Sequence, residues 1–166
     1  ADVDDEVRAQ LASQNSVPIL VGDAAQTPQI ADDSVRLVVT SPPFLDVVQY
    51  KDDNWLRCWF CGIDAEAVPM SLHRKLEDWK TKMTEVFQEL KRVLQPGGYI
   101  AFEVGEVRGG KVRLDEAVVP CGRAAGLDPV LVLINDQKFT KTANCWGVGN
   151  NQKGTNTNRV VLFRKD

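Results

Sequence analysis

The stretch from Asp78 to Gly105 constrains the fold more than any other part of the chain. Trp79, Met83, Val86, Phe87, Leu90, Val93 and Leu94 recur at helical spacing, which predicts a helix to about Gln95 with one apolar face. "PGG" (96–98) ends it, since proline cannot continue a helix and glycine relaxes the cap. "YIAFEVG" (99–105) follows as a strand. An apolar helix face joined at once to an apolar strand calls for a sheet on which the helix can lie.

The rest of the chain supplies one. "VPILVGD" (17–23), "SVRLVVT" (34–40), "DPVLVLIN" (128–135) and "NRVVLFRK" (158–165) read as further strands, about five in all. The second is mostly apolar, with Val35 and Leu37 to Val39, as in parallel sheets covered on both faces. Helices are expected over 4–14, capped by Asp4 or Asp5, and over 52–60, capped by Asp52 or Asp53. A third spans 114–126, stopped by Gly126 and flawed by Pro120. Strands alternating with helices imply an α/β three-layer sandwich with a mostly parallel sheet. With 166 residues and no repeat or linker, the chain is expected to form a single domain over 1–166. Ligands of such sheets sit at the carboxyl ends of the strands.

Composition narrows the setting. No apolar run approaches the roughly 20 residues of a membrane helix, and the acidic N-terminus is unlike a signal peptide, so the cytoplasm is expected. The net charge is −3, but residues 1–106 carry −8 and residues 107–166 carry +5, so a polyanion would meet the second part. Cys58 and Cys61 form C-x-x-C with no second pair to complete a zinc site, and buried thiols are the expectation, with no metal. His73 is the one histidine, and no partner is placed near it by sequence.

The chemistry gathers at "TSPPF" (40–44), directly after an apolar strand. Two prolines hold the backbone extended and remove two N–H groups. Their carbonyl oxygens are left as acceptors without competing neighbouring donors. Ser41 adds a hydroxyl oxygen and Phe44 a flat apolar face. Together they describe a socket for a planar group bearing an NH₂.

This motif resembles the catalytic motif of the amino-methylating DNA methyltransferases, which carry Asp, Asn or Ser before Pro-Pro and an aromatic after. "ILVGDAAQTPQIADDSVRLVVTSPPF" (19–44) and "ELKRVLQPGGYIAFEVGE" (89–106) extend the likeness over roughly residues 17–106. The resemblance implies a Rossmann-like methyltransferase fold, S-adenosyl-L-methionine as cofactor and DNA as partner. The Ser form points to cytosine N4 rather than adenine N6. It further implies that Ser41 and Pro42 polarise the amine, Pro43 sets the loop and Phe44 stacks on the base. Gly22 and Asp23 match the position that meets the cofactor's adenine amine, with a turn cap as the other reading of Asp23. Asp2 or Asp4 would suit the ribose hydroxyls.

The glycine-rich cofactor loop that the resemblance requires is not found. "GEVRGG" (105–110) follows the wrong strand, and "GVGNN" (147–151) has only two glycines. The family fold has seven strands, and the two not found flank the cofactor. The chain is therefore expected to be incomplete, or to borrow that loop from a second copy or another polypeptide. Within 138–159, Lys141, Lys153 and Arg159 are candidates for phosphates, and Asn144 and Trp146 for bases. Glu103 and Glu106 are expected to border the cleft. A non-catalytic binding module of the same fold, and methylation of RNA or of a protein glutamine, are the other readings of the motif.

Overall fold

The computed structural model describes residues 4–12, 19–43, 45, 50–68, 73, 75–107, 111–136 and 157–166. The long helix is α3 below, and the elements run in the order α1 (Asp5–Ala12), β1 (Val35–Thr40), α2 (Tyr50–Phe60), α3 (Leu76–Val93), β2 (Leu94–Val104), β3 (Glu106–Val107), β4 (Val112–Arg113), α4 (Leu114–Ala124), β5 (Asp128–Asp136) and β6 (Thr157–Arg164). β3 and β4 form a small hairpin, and the other four strands form one sheet in the order β1-β2-β6-β5.

β1 and β2 are parallel, while β6 is antiparallel to both β2 and β5. Three strands thus run one way and β6 runs against them, which makes the sheet mixed. The parallel pair is joined through α2 and α3, as a parallel crossover requires. The expected strand at 17–23 is corrected: residues 17 and 18 lie outside the described part, and residues 19–23 form no strand. Ile19 and Val21 are 90% and 94% exposed, so apolar composition alone misled there.

The core lies between the sheet and the pair α3 and α4. Trp79, Met83, Val86, Phe87 and Val93 of α3 are buried, at the helical spacing read from the sequence. Ile100, Phe102 and Val104 of β2 alternate inward with period two and meet Val161 and Phe163 of β6. The Phe87 ring stands 4.6 Å from that of Phe102 and 5.0 Å from that of Phe163. Each buried ring contributes about 1.5–3 kcal/mol of transfer free energy. α4 comes close because residue 122 is glycine: a Cβ there would lie 2.3 Å from Phe163 Cε1. The helix runs through Pro120, whose ring is on an exposed position.

Two boundaries differ from the sequence reading: α3 stops at Val93, so Pro96-Gly97-Gly98 lie within β2 rather than at the helix end, and α2 starts earlier. α2 begins at Tyr50, so residues 52 and 53 fall inside the helix rather than at its cap. Its far end closes with the Ile63 N–H donating to the Cys58 carbonyl at 2.8 Å and the Gly62 N–H to the Trp59 carbonyl at 3.2 Å. Gly62 takes φ +64, as this left-handed C-terminal cap demands. At the end of α3, the Lys165 ammonium donates to the carbonyls of Lys91 and Leu94, both at 2.7 Å, and so covers the negative end of the helix. No helix among the described residues is long and apolar enough to cross a membrane.

Candidate active site

β1 and β2 place the motif. Thr40, the last residue of β1, pairs with Phe102, and Ser41-Pro42-Pro43 then leave the sheet at its carboxyl edge. A second segment arrives beside it because α3 holds it there. Arg92 donates from Nη2 to the Thr27 carbonyl at 2.9 Å and from Nη1 to the Ile30 carbonyl at 3.0 Å, and pairs with Asp32. Glu89 accepts from the Thr27 N–H at 2.7 Å, from its hydroxyl at 2.6 Å and from Arg92. The Arg92 guanidinium and the Thr27 donors hold the Glu89 carboxyl down at about 2. This clamp fastens residues 27–32 to α3 and carries Gly22 and Asp23 to the motif.

The two segments border a cavity of about 880 Å³. Gly22, Asp23 and Ala24 form one wall and Thr40 to Pro43 another, while Met83, Val86 and Phe102 give an apolar floor. Asn54, Arg57, Cys58 and Cys61 of α2 and its end close the third side. The volume falls within the range of small-molecule sites, and a mostly apolar lining with few convergent polar groups is their usual character.

Asp23 is tied on both oxygens. Its Oδ1 accepts from the Ala25 N–H at 2.9 Å, and its Oδ2 accepts from Lys82 Nζ at 2.8 Å. Lys82 and the Ala25 N–H lower the pKa of the carboxyl, and Asp23 in turn raises that of Lys82. Asp23 thus caps its turn while lining the cavity. The loop itself is held from behind: the Trp79 indole N–H donates to the Pro43 carbonyl at 3.0 Å. Among the described residues, neither the Ser41 hydroxyl nor the Pro42 carbonyl has a hydrogen-bond partner, and Ser41 is exposed.

Several expected site residues fall elsewhere. Asp4 does not line the cavity; its Oδ1 accepts from the Val7 N–H at 2.8 Å and caps α1. Arg159 is corrected as a phosphate contact: it is 8% exposed and lies 3.4 Å from Asp115 and 3.9 Å from Glu106, so two carboxylates already neutralise it. Glu106 is thereby part of an internal ion cluster, and neither it nor Glu103 lines the cavity. Asp2, Phe44, Lys141, Asn144, Trp146 and Lys153 lie outside the described residues. The thiols of Cys58 and Cys61 are corrected too, the first half-buried and the second exposed on the cavity wall; among the described cysteines only Cys121 is buried. No group of metal-ligating side chains occurs among the described residues.

Lys82, Asn54 and Arg57 were not singled out from the sequence, and Cys58 and Cys61 only as a C-x-x-C pair, yet a signal existed. Asn54, Arg57, Cys58 and Cys61 stand at i, i+3, i+4 and i+7, one face of a helix. Lys82 sits three residues after Trp79, on the flank of the apolar stripe.

No protein-family profile matches the chain. The type II methyltransferase M.BglII of Bacillus subtilis is 31% identical over 103 residues, covering 60% of this chain and 23% of that protein. A candidate DNA modification methylase of Thermus thermophilus, complexed with S-adenosyl-L-methionine, superposes with a TM-score of 0.54 at 21% identity, over 87% of this chain and 54% of its own. The cytosine-N4-specific PvuII DNA methyltransferase gives a TM-score of 0.56 at 13% identity, over 88% and 48%. The chain thus spans a quarter to about half the length of these relatives. Its α/β fold is the Rossmann-like methyltransferase fold, and over those 103 residues the chain is similar to a type II methyltransferase.

Proposed function

We propose that the chain takes part in S-adenosyl-L-methionine-dependent methyl transfer to an exocyclic base amine of DNA, with cytosine N4 as the target, in the cytoplasm. The observation that carries this reading is a pair of acceptors without a hydrogen-bond partner among the described residues, the Ser41 hydroxyl and the Pro42 carbonyl, at the rim of a ligand-sized cavity. The cofactor fits what is present: an apolar floor, a carboxylate at Asp23 and an ammonium at Lys82 face one space. When bound, it supplies an electrophilic methyl group on a sulfonium sulfur.

The residues of the chain do the rest. The lone pair of a base amine is delocalised into the ring, which makes it a poor nucleophile. Ser41 Oγ and the Pro42 carbonyl each accept one amine hydrogen and favour a pyramidal nitrogen, whose lone pair then forms the new N–C bond. The bound cofactor would supply the methyl group and keep the electron pair of its C–S bond, and the nitrogen would pass one proton to solvent water at the open rim, where Ser41 is exposed. Acceptors aimed at charge that develops on the amine act on the transition state more than on the ground state. The target base must leave the duplex stack to reach the loop, and Phe44 offers it an aromatic wall. Lys141, Asn144, Trp146 and Lys153 are the proposed DNA contacts. This reading also requires a glycine-rich cofactor loop beside the cavity, from a second copy or another polypeptide segment.

The test is nucleoside mass spectrometry of DNA incubated with the protein and methyl-labelled cofactor. Labelled N4-methylcytosine is expected. Labelled N6-methyladenine would overturn the choice of base, and label in RNA or protein but not in DNA would overturn the substrate. No transfer, with cofactor bound, would favour a binding module.

A further inference from the structure

We infer that Trp79 is a positioning residue for the base amine, acting through the Pro43 carbonyl; this rests on the reading of Ser41 and Pro42 as amine acceptors. Trp79 lies in the first turn of α3 and is 1% exposed. Its indole N–H donates to the Pro43 oxygen at 3.0 Å, a contact between residues 36 apart in the chain.

Why that bond matters follows from what the loop lacks. Pro42 and Pro43 have no N–H, so this part of the loop can be held only through its carbonyls. Both rings fix φ, and Pro43 confines Pro42 to extended conformations. With φ of Pro43 locked by its ring, fixing the Pro43 oxygen against α3 leaves ψ of Pro43 as the one soft torsion that can turn the Pro42 oxygen relative to it. A buried indole N–H without a partner is costly, so the bond is expected to persist rather than to exchange with water. The same helix sends Lys82, Met83 and Val86 into the cavity. Trp79 therefore sets the acceptor loop in register with the rest of the site.

The experiment replaces Trp79 in the full chain by β-(benzothiophen-3-yl)alanine, which keeps the bicyclic shape and has sulfur where the N–H was. Prolines are labelled with ¹³C at the carbonyl. In methyl transfer, kcat is expected to fall roughly 10- to 100-fold, the scale of a slightly misplaced reacting group. KM for S-adenosyl-L-methionine and the melting temperature stay at wild-type values. 5-Fluorotryptophan, which retains the N–H, restores kcat. Trp79→Phe loses kcat in the same way and also melts lower, because it leaves space in the core. Unchanged kcat in the sulfur analogue would overturn the role, and so would a fall in kcat matched by a lower melting temperature in that analogue. If the wild type transfers no methyl group, the functional reading fails by itself, and the carbonyl resonances decide the anchor. Both the Pro42 and Pro43 signals should then move in the analogue; a Pro42 signal that stays in place refutes the positioning.

Discussion

Replacing Glu89 by glutamine should unfasten the segment that carries Gly22 and Asp23 to the cavity. In the native chain the carboxylate takes hydrogen bonds from Arg92 Nε at 2.9 Å, from Nη2 at 2.6 Å, and from both donors of Thr27. Those partners hold its pKa at about 2, against 4.5 for an unperturbed glutamate. Undiscounted, that difference amounts to roughly 3 kcal/mol. The Arg92 side chain is 31% exposed, so water screens the pair, and about 1.5 kcal/mol is the expected loss at neutral pH. Because the folded-state pKa lies below the unfolded one, this stability is complete above pH 4.5 and disappears as the pH falls toward 2. Urea unfolding of wild type and Glu89→Gln from pH 7 down to pH 2.5 measures it. The two should differ by a constant amount down to about pH 5 and converge below. A difference that is absent at pH 7, or that stays constant to the acid end, would refute the clamp.

Arg159→Ala leaves Asp115 and Glu106 without their cation inside the protein, and unfolding experiments should show a loss of about 3–5 kcal/mol. A loss below about 1 kcal/mol would mean that the arginine is not held there. Iodoacetamide followed by peptide mass spectrometry should label Cys61 and Cys58 and spare Cys121, whose thiol pKa is pushed up by burial. Saturating cofactor should slow the labelling of the first two; equal rates with and without it would remove them from the binding site.

The parts of the molecule that obey a strong local pattern were legible before any coordinates. α3 shows its apolar stripe plainly, and β1, apolar apart from Arg36 and its last residue Thr40, has Pro-Pro just beyond it. The reversed β6 was not legible, because an apolar strand carries no mark of its direction. Residues 19–21 look like a strand in sequence, yet strand propensity needs neighbours, and the described residues give them none. At the cavity, the sequence offered Ser41 to Pro43 and Asp23, since each belongs to a compact motif. It hid Lys82 and Arg57, which enter the cavity from helices read only for their apolar faces. Arg159 misled in the opposite direction: its charge suggested a polyanion, while Asp115, 44 residues away, and Glu106 had already claimed it.

The central claim is that the Ser41 hydroxyl at the end of β1 takes a hydrogen of the base amine during methyl transfer. Tritium transfer from labelled S-adenosyl-L-methionine to DNA, compared between wild type and Ser41→Ala under single-turnover conditions, tests it most directly. The account predicts a rate lower by roughly a hundredfold with cofactor affinity unchanged. An equal rate in the two proteins would contradict it.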